Sequence, residues 1–153
     1  MSRRLSWALV ALASVALLAG CGESEKEKYT NKLNSITDRL VKDTRKARQD
    51  ASAPRNAAEA GTLARRIQAV LNRAAHDFAA VKPPSKVMDL HERLVNVIRR
   101  FSAAVTPEVQ AAEAGDLQRF RAGAATLAAT ATSVQRQLND LRREYRARGY
   151  KLE

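Results

Sequence analysis

The sequence predicts an all-α protein: an antiparallel up-down-up-down four-helix bundle behind an N-terminal export segment. Two observations predict it. Apolar residues recur at spacings of three and four in four successive stretches, the period of an amphipathic helix. Those stretches are of similar length, and short breaks at Pro54, Pro83-Pro84 and Gly115 separate them. Short connections make consecutive helices antiparallel neighbours. None of the four would hold alone, because fixing each residue costs roughly 1–2 kcal/mol. Burying the four stripes against one another offsets that cost, at about 1.5–3 kcal/mol per large side chain.

The first helix is expected from about Ser24 to Asp50, with Tyr29, Leu33, Ile36, Leu40, Thr44, Ala47 and Ala51 in one stripe. Ala51-Ser52-Ala53-Pro54 ends it, since proline lacks the N–H that the ladder needs. The second opens at Asn56, which stands at capping-box spacing from Glu59. Its face is Leu63, Ile67, Val70, Leu71, Ala74, Phe78 and Val81. Gly61 lies in its first turns, at a propensity cost of roughly 1 kcal/mol. Two prolines then force an extended turn.

The third helix starts near Ser85 and carries Val87, Leu90, Leu94, Val97, Ile98, Phe101 and Val105. Thr106-Pro107 offers either a new cap or a kink. The stripe keeps its phase through Val109 and Ala112, which favours a kinked helix reaching about Ala114. Gly115 stops it and Asp116 caps the next. The fourth helix has the most regular stripe: Leu117, Phe120, Ala124, Leu127, Ala131, Val134, Leu138, Leu141 and Tyr145. It reads as a core seam in which Ala124 and Ala131 admit a close neighbour. Gly149 ends it, leaving a short tail.

Residues 1–20 have the layout of an export signal. Arg3 and Arg4 form a positive start, Leu5 to Leu18 is apolar except for Ser6 and Ser14, and small residues follow. The apolar run is shorter than the ~20 residues of a membrane-spanning helix. Ser2-Arg3-Arg4 fits a twin-arginine signal poorly, so the general secretory route is expected. Leu18-Ala19-Gly20-Cys21 resembles the lipobox of bacterial lipoproteins, with the only cysteine in the chain at the position that becomes the new N-terminus. That resemblance implies cleavage before Cys21, a thioether-linked diacylglycerol on its sulfur and acylation, palmitate among the fatty acids, as a membrane anchor. Two or more chains hold stably where one binds marginally. The organisation expected is a cleaved signal peptide (1–20), a lipidated start and spacer (21–28) and a helical domain (29–153). The run from Pro83-Pro84 through His91 and Leu94 to Ala114-Gly115-Asp116 also resembles small uncharacterised helical lipoproteins, which supply no activity to transfer.

Without residues 1–20 the net charge falls only from +11 to +9, since two arginines leave. An exported protein with few aromatic residues is not expected to bind nucleic acid. Anionic headgroups or envelope polymers, and a protein of unknown identity, are the expected partners. Arg142, Arg143, Arg146 and Arg148 lie at the C-terminal end of the fourth helix. They complement its dipole and, in this topology, face the membrane as a weak electrostatic contact. His76 and His91 flank the Pro83-Pro84 turn. At 100° per residue His76 points away from Ile67, Leu71 and Phe78, so the pair makes no metal site, and His91 belongs at the edge of the core. No nucleophile elbow, paired-carboxylate or phosphate-loop pattern is present, so neither enzyme activity nor a cofactor is expected. The chain therefore reads as a lipid-anchored, non-enzymatic module of the cell envelope. The alternative is a bundle holding a small ligand or metal between helices. A polar residue in the seam would favour that, and Thr44 is the candidate.

Overall fold

The computed structural model describes residues 24–49 and 54–152. The segment Leu5–Leu18, the Leu18-Ala19-Gly20-Cys21 stretch expected to be a lipobox, and Asp50 to Ala53 lie outside the described residues. Within them the chain is an all-α helical bundle: α1 (Glu25–Gln49), α2 (Ala57–Ala79), α3 (Met88–Ala104), α4 (Thr106–Glu113) and α5 (Leu117–Ala147). A single 3-10 turn, Ser85–Val87, leads from the two prolines into α3.

Local chemistry sets the ends. Ser24 and Glu27 form a reciprocal capping box: the Glu27 N–H donates to Ser24 Oγ, and the Ser24 N–H donates to Glu27 Oε2 at 2.8 Å. At α2 the expected box is altered. The Glu59 N–H donates to Asn56 Oδ1 at 2.9 Å, but the Glu59 carboxylate reaches back to the N–H of Arg55 instead of Asn56. Asp116 caps α5 through the N–H of Arg119. Gly115 and Gly149 have φ of 72° and 82°. In each case the following N–H then closes on a carbonyl five residues back, Asp116 on Ala111 and Tyr150 on Tyr145.

The third stretch bends at one residue. Val105 keeps helical angles (φ −83°, ψ −17°), and its N–H bonds Ser102 in place of the residue four back. Pro107 then falls in the first turn of α4, where its missing N–H costs nothing. The Thr106 side chain caps nothing; it accepts a hydrogen bond from Gln68 on α2.

Cross-helix pairs fix the neighbours. Arg39–Asp77 and Asp43–Arg73 join α1 to α2. Asn72–Ser102, Gln68–Thr106 and Arg65–Glu113 join α2 to α3 and α4. Asp89–Arg148, Arg93–Glu144 and Arg100–Gln137 join α3 to α5. In every set, residue numbers fall on one helix as they rise on the other. The larger core gathers Leu33, Phe78, Leu90, Ile98, Leu141 and Tyr145. A smaller one holds Ala64, Leu71, Val105 and Val109, and Leu40 and Phe101 pack against both.

The α5 stripe is not one continuous core seam. Val134, Leu141 and Tyr145 are buried, whereas Leu117, Phe120, Leu127 and Ala131 are half-buried and Ala124 is exposed. α5 packs along α3 and α4, and α1 packs along α2. α1 and α5 meet through Tyr29 and Tyr145, and a cleft opens between them farther along. Ala124 and Ala131 therefore border open space in place of a close helix.

Gly61 has a packing role that its helix propensity hides. It is buried, and a Cβ built there would lie 3.0 Å from the Ala112 Cβ of α4. Gly61→Val is expected to lower stability by about 1–3 kcal/mol through overpacking, although valine is the better helix former. Urea unfolding checks this; a gain in stability would show that α4 is free to retreat.

Candidate functional site

The cleft between α1 and α5 is open to solvent and offers about 440 Å³. Its sides follow from the helical stripes. α1 supplies Leu40, Thr44 and Arg48, one on each successive turn. Ile67, Leu71 and Phe101 form the floor, and α5 supplies Ala124, Leu127, Ala128, Ala131 and Leu138. The walls are thus mainly apolar, with polar groups only at Thr44, Arg48 and Gln135. A concave, mostly apolar space between helices with a few polar groups is the usual form of a small-molecule site. Thr44, the polar seam residue of the sequence, lines this cleft and a shallower groove beside it, which Arg45 and Arg48 share.

The bundle closes at the other end around aromatic side chains. Tyr29 Oη bonds Tyr145 Oη at 2.8 Å and His91 Nδ1 at 3.1 Å. Tyr150 packs edge-on to Tyr29, with ring centroids 5.8 Å apart. The Phe78 backbone also hydrogen-bonds the His91 ring, and Tyr29 Oη ties α1 to both α3 and α5. Burial pushes the Tyr145 hydroxyl up to about 12 and Tyr29 higher still. His91 is more deeply buried than an edge residue, at 5% exposure. Burial holds its pKa below the ordinary value, partly countered by the Phe78 bond and by Glu92.

Because His91 is held neutral, its contribution is fully present above the unfolded pKa of about 6.5 and is lost as pH falls through the depressed folded value. Protonation would also make both ring nitrogens donors. Melting temperature is expected to drop on acidification from neutral, and to drop less in His91→Gln. Equal pH profiles for the two proteins would contradict this.

His76 is exposed on α2, apart from this network. Among the described residues no three His, Cys, Asp or Glu side chains gather where one metal ion could bind. The arginines of the α5 end divide. Arg148 is bidentate to Asp89, holding that carboxyl below its usual range, and also donates to the Lys86 carbonyl. Arg143 pairs with Asp140 on its own helix. Arg142 is half-buried and Arg146 exposed. Cys21 lies outside the described residues.

Two features escaped the sequence reading. Tyr150, expected in a short tail, is buried. Glu108 on α4 is 5% exposed, its Oε2 has no hydrogen-bond partner among the described residues, and its carboxylate packs on Gly123 of α5. No described helix is long and apolar enough to cross a membrane. No protein-family model, curated protein or solved structure matches the chain.

Proposed function

We propose that the chain is a lipid-anchored, non-enzymatic module of the bacterial cell envelope. The observation that carries it is Leu18-Ala19-Gly20-Cys21 at the end of an export-type segment. In this reading the signal peptide is removed, Cys21 carries acyl chains, and an antiparallel up-down-up-down four-helix bundle follows, its third rod bent at Val105. The opposed numbering of the cross-helix pairs supports that topology. Cys21 precedes Ser24 by three residues, and α1 touches the end of α5 through Tyr29–Tyr145 and the segment after it through Asn34–Lys151. The tyrosine end therefore stands next to the lipid. Arg142, Arg143, Arg146 and Arg148 lie at that end, where each basic residue near an anionic surface contributes about 1 kcal/mol. Cell fractionation tests the reading. The protein is expected in the membrane fraction and Cys21→Ser outside it; equal distribution of the two would overturn the proposal.

One observation favours a second reading, a bundle that holds a small ligand: the apolar cleft between α1 and α5. The two are compatible, since the cleft lies away from the tyrosine end.

A further inference from the structure

We propose that the cleft binds one long-chain fatty acid, with its acyl chain along α5 and its carboxylate on Arg48. The proposal rests on the ligand-binding reading above and names the ligand. Length is the first support. The α5 lining runs from Ala124 to Leu138, about 21 Å at 1.5 Å per residue, the reach of a single extended acyl chain.

Volume is the second. About 440 Å³ lies within the range of small-molecule sites. A long, narrow, mainly apolar slot suits one slender apolar chain. Ala124, Ala128 and Ala131 stand along one side where larger residues would have filled the slot.

Charge is the third. Arg48 is the one charged residue of the lining, at the end of α1 remote from the tyrosines. It makes no ion pair among the described residues. A guanidinium fork matches the two oxygens of a carboxylate. Thr44 lies one turn back with a hydroxyl that can donate to the same group. One cation at the mouth of an apolar slot suits a singly charged head on a single tail.

The test uses the full chain carrying Cys21→Ser, so that no covalent acyl group competes. A photoreactive diazirine analogue of palmitate is irradiated with the protein, and the labelled peptides are mapped. Labels are expected on α1 from Leu40 to Arg48 and on α5 from Ala124 to Leu138. Palmitate should compete fully. Laurate, four methylenes shorter, should compete at least about tenfold more weakly, since a buried methylene is worth roughly fourfold in affinity. Arg48→Gln should weaken palmitate roughly tenfold and leave hexadecanol unchanged. Ala131→Leu fills the slot and should abolish labelling; helicity by circular dichroism checks that this variant folds, and the peptide map stands without it. Labelling outside the cleft overturns the proposal. Diazirine analogues of hexadecanol or of a zwitterionic lysolipid labelling the cleft while the palmitate analogue does not would overturn the fatty-acid assignment and keep the ligand site. No labelling by any of them would overturn both.

Discussion

Tyr145→Ala is expected to lower stability by about 3–5 kcal/mol, and the melting temperature by roughly 10–20 °C. Tyr145 is fully buried, and its ring joins the last turns of α5 to Tyr29 at the start of α1 and to Tyr150 beyond Gly149. Truncation leaves a cavity and removes the Tyr145–Tyr29 hydrogen bond that ties the last turns of α5 to the start of α1. Tyr145→Phe separates packing from hydrogen bonding. It keeps the ring and loses only the bond to Tyr29, for about 1 kcal/mol. Chemical denaturation of both variants checks this. Equal losses would place the stabilisation in the hydroxyl network and not in the rings.

Glu108→Met is expected to raise stability, by about 1–3 kcal/mol. A carboxylate oxygen buried without a partner is unfavourable relative to an apolar side chain of similar length. Methionine is flexible enough to occupy the same path beside Gly123 without forcing α4 and α5 apart. Urea unfolding should show a higher midpoint with an unchanged slope. A lower midpoint would mean that the carboxylate has a stabilising role in the bundle that its surroundings do not reveal.

Much of the fold is legible in the sequence because its signals are local. The apolar period marks α1, α2, α3 and α5, and Asn56, Asp116, Gly115 and Gly149 mark ends whose hydrogen bonds involve residues only a few positions away. Thr106-Pro107 was legible only in part: the stripe kept its phase across Val105, but the stretch forms two helices, α3 and α4, with Pro107 in the first turn of the second. Even the capping box at Ser24 was written locally, as serine followed three residues later by glutamate.

What was not legible depends on distances between helices. A stripe states which face is apolar and does not state how far away its partner lies. Ala124 and Ala131 serve equally well under a close neighbour or beside an open slot, and only the separation of α1 from α5 decides. Gly61 reads as a weak helix residue until Ala112 is seen against it. Tyr150 looked like a tail residue because its burial depends on Tyr29, at the opposite end of the chain. The turn at Gly149 was a clue, since a glycine that closes a helix commonly brings the following apolar residue back onto it. Glu108 gave no signal at all; a glutamate after proline ordinarily marks a solvated first turn.

The address of the protein rests on Cys21, and the mass of the mature N-terminal peptide tests it most directly. The peptide released from the membrane-bound protein is predicted to begin at Cys21 and to carry diacylglycerol, with labelled palmitate incorporated in the native protein and absent from Cys21→Ser. A peptide beginning at or before Ser2, with an unmodified thiol at Cys21, would contradict the account.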